Sequence, residues 1–220
     1  MGDKQLIDLS HVIEHGMITY KGIPAPLICD FLSREASRKN YAPGTEFNIG
    51  KIEMVANTGT YLDSPFHRYA DGNDLSALSL PQLANIDCVV ARIEAGTRAI
   101  DRLPFSERDV RGKAVLVQTN WDRHWRTDQY FENHPYLTGE LAQWLVTAGA
   151  RLVGIDSYNI DSVDTGERPV HSALLRNNIP IVEHMTGLAA VPAAGSRFFA
   201  VPPKVKNFGT FPVRAFVTMP

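Results

Sequence analysis

The segment 57–72, NTGTYLDSPFHRYADG, places several side chains that could do chemistry in one short stretch. Asp63 and His67 stand four residues apart, between a glycine and a proline that favour an ordered turn. A carboxylate and an imidazole on one loop can bind a metal ion or pair as an oriented base. The alternative is that Asp63 accepts hydrogen bonds from loop amides and His67 is an ordinary surface residue.

A second group of candidates lies later in the chain. His171 stands near a predicted helix start, and Glu183 closes an apolar run. Burying an ionised glutamate is costly unless it is paired or coordinates a cation, so Glu183 is either a ligand or the partner of an arginine. Asp156 ends another apolar run and Asp161 follows it. The pattern leaves open whether these two acids are structural or functional.

Composition limits the kind of protein. The 220 residues are 44% hydrophobic and 21% charged, which is typical of one domain over residues 1–220 with a substantial core. The formal net charge is −2 with both signs mixed along the chain, so nothing indicates a nucleic acid or an anionic membrane as partner. We expect a small-molecule substrate and contacts with other subunits.

The sequence shows none of the common targeting signals, so we expect a cytoplasmic protein. The N-terminal stretch MGDKQLIDLS has charges at Asp3 and Lys4 and lacks the apolar core of a secretory signal. No apolar run approaches the roughly 18 residues that span a bilayer. Only Cys29 and Cys88 are present, in no metal or disulfide pattern, so we expect a reducing compartment.

The hydrophobic pattern predicts a sheet-rich α/β fold. Helix periodicity is clearest over 138–150, where Thr138 can cap the start and Gly149 can end the helix. A second helix is predicted over 170–178 and a short third one over 74–84. So few helices do not fit the strict alternation of a doubly wound nucleotide-binding fold. The strand-like runs are 5–9, 26–32, 47–56, 86–93, 114–119, 151–156, 179–183 and 212–217.

Common catalytic signatures do not occur in the sequence. It contains no GxGxxG phosphate-binding loop, no GxSxG nucleophile elbow and no HExxH zinc helix. Nucleophilic serine chemistry therefore has no sequence anchor here.

Ordered segments over nearly the whole chain resemble the cyclase family of metal-dependent hydrolases, which includes bacterial kynurenine formamidase and isatin hydrolase. The resemblance implies the family's swivelling β/β/α fold and a homodimer or homotetramer. The matching segments are DLSHVIEHGM (8–17), NTGTYLDSPFHRYADG (57–72), VLVQT (115–119), GIDSYNID (154–161), HSALL (171–175), IVEHM (181–185) and VPPKVKNFGTFPVRAF (201–216).

The family fingerprint HxGTHxDxPxH is altered in this chain. Residues 57–67 read NTGTYLDSPFH, so Asn57 and Tyr61 replace the two leading histidines. In the family these two positions and the aspartate bind one metal. Asn offers only a neutral oxygen or an amide donor, and a tyrosine binds a metal well only after losing a proton whose ordinary pKa is near 10. We therefore expect the first metal position to be empty or much weaker, and Asn57 and Tyr61 could hydrogen-bond across it.

The second metal position keeps all its ligands. By resemblance these are Asp63, His171 and Glu183, and His67 matches the family's catalytic histidine that binds no metal. Two carboxylates and one imidazole can hold a single Zn²⁺ or Mn²⁺ with an open position for water. The sequence thus predicts one divalent metal per chain.

Two kinds of function follow from this pattern. The leading hypothesis is a hydrolase of formamides or cyclic amides, in which a metal activates water, His67 moves the proton and Asn57 contacts the substrate. The alternative is a metal-free member of the family. That member is either a small-molecule binding protein or an isomerase or cyclase that uses Tyr61 and His67 as an acid–base couple.

Aromatic residues supply a further expectation. Five of them are candidates for a pocket that takes a planar substrate, with core or subunit interface as the alternative. The long polar and aromatic segment 120–136 fits either a lid or an oligomer contact. The five aromatic residues are Phe31, Tyr41, Trp121, Trp125 and Tyr158.

Overall fold

The computed structural model describes residues 5–219 and shows an α/β fold built on a mixed nine-stranded sheet. The strands are β1 (Leu6–Asp8), β2 (Leu27–Leu32), β3 (Ile49–Glu53), β4 (Tyr61–Asp63), β5 (Ile86–Arg92), β6 (Ala99–Ile100), β7 (Ala114–Gln118), β8 (Tyr136–Leu137), β9 (Leu152–Ile155), β10 (Ile181–Glu183), β11 (Ala194–Phe199), β12 (Thr210–Pro212) and β13 (Phe216–Thr218). The helices are α1 (Arg34–Ser37), α2 (Glu107–Val110), α3 (Gly139–Ala148) and α4 (Pro169–Arg176), and 3-10 turns cover Pro65–His67, Leu80–Gln82, Trp121–His124, Asp128–Phe131 and Leu188–Ala190.

The main sheet has the order β1-β13-β11-β5-β7-β9-β10-β4-β12. Strands β5, β7, β9 and β10 run parallel, and the other pairings are antiparallel. Every residue of β7 and β9 is buried, as expected for parallel strands that are covered on both faces. This explains why their sequences read as continuous apolar runs.

Two apolar cores lie on opposite faces of the sheet. Leu145 of α3 and Leu174 of α4 pack with Val153 on one face. Phe198 and Leu62 belong to the core of the other face. All five side chains are fully buried, so the sheet that carries the candidate residues is held from both sides.

The predicted positions of the two longer helices are confirmed. The Thr138 hydroxyl caps α3 by accepting a hydrogen bond from the Leu141 amide at 3.2 Å, and Gly149 ends the helix with φ of 77°. Helix α4 begins at Pro169, where the missing amide hydrogen costs nothing.

Three predicted elements differ from the structure. The prediction of a helix over 74–84 is wrong. Only the 3-10 turn Leu80–Gln82 forms, around Pro81. The side chain of Asp74 instead accepts a hydrogen bond from the amide of Ala77 in a turn. Only β3 forms a strand within the predicted run 47–56. The run 212–217 is divided between β12, at one edge of the sheet, and β13, next to the strand at the other edge.

Strands β4 and β11 of the main sheet, and the two-residue strands β6 and β8, were not predicted. The three residues of β4 lie among turn-forming residues, and their strand conformation comes from pairing with β10 and β12. This tertiary pairing overrides the local signal. It places part of the candidate segment 57–72 inside the sheet.

A two-stranded hairpin of β2 and β3 stands apart from the main sheet. Every residue of β3 is exposed, and so are the first five residues of β2. Phe31 is 76% exposed and Ile52 is 56% exposed. We refer to residues 27–53 as the arm.

Across residues 5–219, no helix combines the length and the apolar character needed to cross a membrane. Asp3 and Lys4 lie outside the described residues. The cytoplasmic location stays a prediction.

Candidate active site

Strand register brings four candidate side chains to one place. In the antiparallel pair β4–β10, Tyr61 lies opposite Glu183, and in the pair β4–β12, Asp63 lies opposite Thr210. Residues opposite each other on antiparallel strands project to the same side, within contact distance. Accordingly, the Tyr61 hydroxyl donates to Glu183 Oε2 at 2.6 Å, and the Thr210 hydroxyl donates to Asp63 Oδ1.

Asp161 fixes the position of His171 at the start of α4. Its carboxylate accepts the amides of Val170 at 2.8 Å and His171 at 2.9 Å, and it also lies 2.7 Å from His171 Nδ1. A carboxylate that holds one ring nitrogen of a histidine leaves the other nitrogen free for a metal. Asp161 thus acts on the site, whereas its sequence position left a structural or functional role open.

The free nitrogen of His171 lies between two buried carboxylates. Nε2 is 3.6 Å from Asp63 Oδ2 and 3.8 Å from Glu183 Oε1, and Asp63 and Glu183 are 0% and 1% exposed. These separations are too long for hydrogen bonds. Asp63 Oδ2 is buried without a hydrogen-bond partner in the described chain. Tetrahedral zinc with bonds of about 2.0–2.2 Å sets its ligand atoms about 3.3–3.6 Å apart, so the His171–Asp63 separation fits two ligands of one metal and the His171–Glu183 separation is slightly longer.

Electrostatics favour a positive charge at the same point. Burial opposes ionisation of His171, but Glu183, Asp161 and Asp63 outweigh it and raise the pKa of His171 to about 10. Burial also opposes ionisation of Asp63, yet His67 and His171 hold the pKa of Asp63 below its ordinary value. Burial raises the pKa of Glu183. A metal ion that displaced the His171 proton would balance the same negative charges.

His67 also lies close enough to this centre to be a metal ligand. Asp63, His67 and His171 each offer a ligand atom, and these atoms lie within 4.8 Å of one another. The side chain of His67 is 35% exposed, in contrast to the two buried residues. The geometry therefore allows His67 as a third ligand beside the predicted role of Glu183.

The hydrogen bonds of His67 favour a proton-transfer role instead. Thr210 gives its only proton to Asp63, so at 2.8 Å its oxygen accepts from His67 Nδ1–H. This bond leaves the lone pair on His67 Nε2. The close backbone contact of Gly209 with His67, where an added Cβ would lie 2.6 Å from its Cα, keeps the histidine against β12.

The link through Thr210 gives a testable prediction. Thr210→Val keeps the shape but removes the hydroxyl that joins Asp63 to His67. We expect kcat to fall by about 10-fold, because one hydrogen bond to a charged group contributes about 1.5–3 kcal/mol and only part of it acts on His67. Thr210→Ser should restore the rate. Equal rates for the Val and Ser variants would show that the link has no part in turnover.

Tyr61 is held by partners other than the predicted one. Its hydroxyl lies 2.7 Å from the Tyr20 hydroxyl in addition to Glu183, and no hydrogen bond joins it to Asn57 within residues 5–219. The predicted Asn57–Tyr61 bond is therefore wrong, because the register of β4 aims Tyr61 at β10. Burial and the Glu183 charge raise the pKa of Tyr61 well above its ordinary value, so the phenol stays neutral.

The hydrogen-bond chain behind Tyr61 has one consistent direction. Tyr61 donates its proton to Glu183. Tyr20 is therefore the donor in the hydrogen bond between the two tyrosine hydroxyls. Burial lowers the pKa of His184 far below its ordinary value. Neutral His184 then donates from Nε2 to Tyr20 at 3.1 Å and accepts the Tyr130 hydroxyl at Nδ1 at 2.9 Å. The chain thus stabilises a charged Glu183.

A cavity of about 280 Å³, slightly smaller than a pocket for a drug-sized molecule, lies beside this centre. Asn57 lines it, as predicted for a substrate contact, although this role stays a prediction. None of the five aromatic candidates lines this cavity: Phe31 and Tyr41 are exposed on the arm, and Tyr158 packs behind Tyr20. The cavity is lined by Tyr20, Ile23, Asn57, Tyr61, His67, Arg68, Asn159, Arg168, His171 and Glu183.

Sequence reasoning missed Tyr20, Thr210 and His184. Thr210 and His184 lie in the matching segments 201–216 and 181–185, and His184 adjoins Glu183, which were the available signals, whereas Tyr20 lies outside those segments. The arginines 68 and 168 were also missed. Arg68 adjoins His67 in sequence, which was the only available signal.

Segment 120–136 lies beside the site, where Trp125 stacks on His11 with ring centroids 4.0 Å apart. Burial lowers the pKa of His11 from 6.5 to about 4, although Asp122 opposes the shift. The unfolded chain therefore binds more protons between these pH values, so the stabilisation present above pH 6.5 is lost as pH falls towards 4.

His11→Phe keeps a stacking ring and removes this titration. We expect the free energy of unfolding of the wild type to fall by up to about 3 kcal/mol more than that of the variant between pH 6.5 and pH 4. Denaturant unfolding at several pH values measures the difference. Parallel curves for the two proteins would contradict the buried, neutral state of His11.

Family membership agrees with this architecture. The Cyclase family model matches residues 7–162, more than two thirds of the chain. The chain therefore belongs to the cyclase family, and its nine-stranded α/β fold is the fold of that family.

Among curated proteins, the chain is similar to kynurenine formamidases. It is 26% identical over 218 residues to the kynurenine formamidase of Bacillus cereus (strain ATCC 14579), with 99% of each chain covered. It is 28% identical over 220 residues to that of Bacillus cytotoxicus, again with 99% of each chain covered.

Solved structures show the same fold at lower identity. Isatin hydrolase A from Labrenzia aggregata, bound to benzyl benzoate, superposes with a TM-score of 0.80 at 18% identity, covering 98% of this chain and 93% of that one. A potential metal-dependent hydrolase with cyclase activity gives a TM-score of 0.75 at 23% identity, covering 97% and 96%.

Proposed function

We propose that this protein is a metal-dependent C–N hydrolase that acts on a small formamide or cyclic amide. The observation that carries the proposal is the position of His171 Nε2, which lies 3.6 Å from Asp63 Oδ2 and 3.8 Å from Glu183 Oε1, close to the separation of two ligands on one divalent metal. The kynurenine formamidases and isatin hydrolases among its relatives support an amide substrate.

Asp63, His171 and Glu183 would hold the zinc or manganese ion. When bound, such an ion supplies Lewis acidity toward a carbonyl and lowers the pKa of water. Glu183 keeps lone pairs for this task, since a carboxylate has about four acceptor sites and two of its hydrogen bonds come from Tyr61 and the Ile160 amide.

The protein's own groups would carry the proton. His67 Nε2 would accept a proton from the attacking water as the oxygen bonds to the carbonyl carbon. The same nitrogen would then give that proton to the leaving nitrogen as the C–N bond breaks. The Asn57 amide, which lines the same cavity, would contact the substrate. Water and amide yield a carboxylic acid and an amine, with no other reactant.

The hydrogen bonds of Tyr61 favour hydrolysis over the acid–base alternative. The Tyr61 proton goes to Glu183 and its oxygen accepts from Tyr20, so the phenol has neither a free proton nor a free approach for a base. Tyr61 is also 1% exposed. A buried phenol with both bonding functions satisfied is suited to holding Glu183 in place.

A panel of aryl formamides, isatin and related cyclic amides tests the proposal. The protein is assayed with Zn²⁺ or Mn²⁺, beside Glu183→Gln, which keeps the shape of the side chain and removes its charge. Turnover in the wild type that falls at least 100-fold in the variant would support the proposal. Absence of turnover throughout the panel, with metal bound, would refute it.

We further propose that the protein forms a homo-oligomer through the arm. An isolated two-stranded hairpin is marginally stable in water, and the arm exposes apolar side chains on both strands. A second copy of the chain would cover these residues and supply the hydrophobic contact that the arm lacks.

Light scattering coupled to size-exclusion chromatography tests this assembly. We expect a dimer or tetramer for the wild type, and a shift to the monomer when Phe31→Lys and Ile52→Lys place charges in the contact. Val12→Lys, at an exposed position outside the arm, serves as the control. A wild-type monomer would contradict the proposal.

A further inference from the structure

The first metal position of the family has no suitable ligands in this chain. Asn57 and Tyr61 stand where the fingerprint has histidines, and an asparagine offers a metal only a neutral oxygen. The Tyr61 hydroxyl gives its proton to Glu183 Oε2 at 2.6 Å. Asp63 is the third ligand of that position, and its Oδ1 already accepts the Thr210 hydroxyl. The residues present therefore do not fit a metal ion there.

The Tyr61 side chain fills the space of a histidine together with its metal. A tyrosine hydroxyl stands further from its backbone than the outer nitrogen of a histidine does, by roughly the 2 Å of a zinc–nitrogen bond. The Tyr61 side chain is 1% exposed, and the register of β4 against β10 directs it to Glu183. A hydroxyl thus lies where a histidine at this position would direct an ion.

Tyr20 brings a second hydroxyl to the same place. Its oxygen lies 2.7 Å from the Tyr61 hydroxyl, and 3.1 Å from both His184 Nε2 and Asn159 Nδ2. A phenol has one proton and two lone pairs, so Tyr20 donates to Tyr61 and accepts from His184 and Asn159. The contact with Tyr61 takes the proton because it is shorter than the 3.1 Å to the Tyr158 carbonyl. All hydrogen-bonding capacity of Tyr20 is then used.

The segment that carries Tyr20 is attached to the fingerprint loop. The buried Thr19 hydroxyl accepts the Gly59 amide at 2.9 Å. Gly59 has φ of 65°, and a Cβ added there would lie 3.0 Å from the Ile13 side chain. The positive φ and the close packing both favour glycine at this contact. The contact lies one residue from Tyr20 and two residues from Tyr61, so it fixes the two tyrosines relative to each other.

The hydroxyl of Tyr61 in turn holds one end of Glu183. Oε2 of Glu183 accepts that hydroxyl, and Oε1 accepts the Ile160 amide at 2.6 Å. Oε1 is also the oxygen that lies 3.8 Å from His171 Nε2. Rotation of the carboxylate would break both hydrogen bonds, so Oε1 stays directed at the proposed metal. Groups that orient a metal ligand in this way typically contribute about 10- to 100-fold to metal affinity.

We propose that the hydroxyls of Tyr20 and Tyr61 take the place of the first metal of the family. Tyr20 is then a positioning residue, which acts through Tyr61 on the Glu183 carboxylate. This inference rests on the proposed function, because it assigns the residues that prepare the same centre for its single metal ion. The two hydroxyls compensate for the ion that the chain has lost.

Metal affinity tests the role of Tyr20. Tyr20→Phe keeps the ring and removes the hydroxyl, so we expect the Kd for Zn²⁺ to rise by roughly 10-fold. Competition with a chromogenic chelator measures it. Tyr61→Phe should raise the Kd at least as much. The double variant should raise it no further than Tyr61→Phe alone, because both hydroxyls act on Glu183 along one chain.

Tyr158→Phe is the matched control. The Tyr158 ring packs 4.8 Å from that of Tyr20, but its hydroxyl makes no hydrogen bond within residues 5–219. The Kd of this variant should equal that of the wild type. Bound Co²⁺ gives a second readout, since its visible absorption depends on coordination geometry. Tyr20→Phe should change the Co²⁺ spectrum and Tyr158→Phe should not. An unchanged Kd and spectrum in folded Tyr20→Phe would overturn the positioning role.

Restoring the family ligands tests the replacement itself. Asn57→His combined with Tyr61→His returns both fingerprint histidines. We expect this double variant to bind about two equivalents of Zn²⁺ where the wild type binds about one, as counted by elemental mass spectrometry. Two equivalents in the wild type, or one in the folded double variant, would overturn the replacement.

This inference and the proposed function fail in distinguishable ways. The expected changes in Kd without turnover of any amide would remove the hydrolase proposal and keep the role of the two hydroxyls. Turnover of an amide, with a Kd in Tyr20→Phe equal to that of the wild type, would do the reverse.

Discussion

Asp63→Ala is expected to remove bound zinc or manganese and to lower kcat/KM by roughly 1,000-fold. Asp63 is the point where the two parts of the site meet, since one oxygen faces His171 and the other accepts from Thr210, which orients His67. Loss of one well-placed electrostatic group costs about 100- to 1,000-fold, and this substitution removes two functions together. Elemental mass spectrometry and steady-state kinetics measure the two effects.

The matched control for this variant is Asp71→Ala. Asp71 is an exposed carboxylate that pairs with Arg176, so its removal should change neither metal content nor turnover. Circular dichroism establishes that both variants fold. Metal content and turnover that stay at the wild-type level in folded Asp63→Ala would contradict the assignment of the centre.

His67→Ala is expected to lower kcat by roughly 100- to 10,000-fold while metal content stays unchanged. The reason is that, in the proposed mechanism, His67 supplies the nitrogen that transfers the proton, whereas Asp63, His171 and Glu183 bind the ion. The geometry also permits His67 as a ligand, because its ligand atom lies within 4.8 Å of those of Asp63 and His171. Metal analysis of the variant distinguishes the two roles.

His15→Ala provides the comparison for the second variant. His15 is exposed, and its ring accepts only the Ile28 amide, so its removal should leave turnover unchanged. A His67→Ala protein that loses its metal together with its activity would show that His67 is a ligand. That result would replace the proton-transfer role proposed for it.

The sequence predicted the sheet-rich α/β fold and the residues at the centre, but not how the fold joins them. Helix α3 was predicted because its apolar spacing, its Thr138 cap and its terminal Gly149 are all local signals. Strand β4 was missed because only pairing with β10 and β12 makes Tyr61–Asp63 extended. Local sequence patterns do not indicate such pairings between distant parts of the chain.

The same limit explains what was missed in the site. Asp63 and His67 were found because they match a family fingerprint, and His171 and Glu183 because they lie in other segments that resemble the family. The structure places these four residues around one cavity or beside it. Thr210 and Tyr20 reach this point from distant parts of the chain, and no spacing indicates that they do. The Asn57–Tyr61 bond was predicted from proximity in sequence, whereas the strand register directs Tyr61 to Glu183.

The central claim is that one divalent metal binds per chain at Asp63, His171 and Glu183. Its most direct test is the metal stoichiometry of the purified protein by elemental mass spectrometry, after removal of chelator and incubation with Zn²⁺ or Mn²⁺. The account predicts about one equivalent of metal per chain, lost in Asp63→Ala. No bound metal with either ion, or the same equivalent retained in Asp63→Ala, would contradict it.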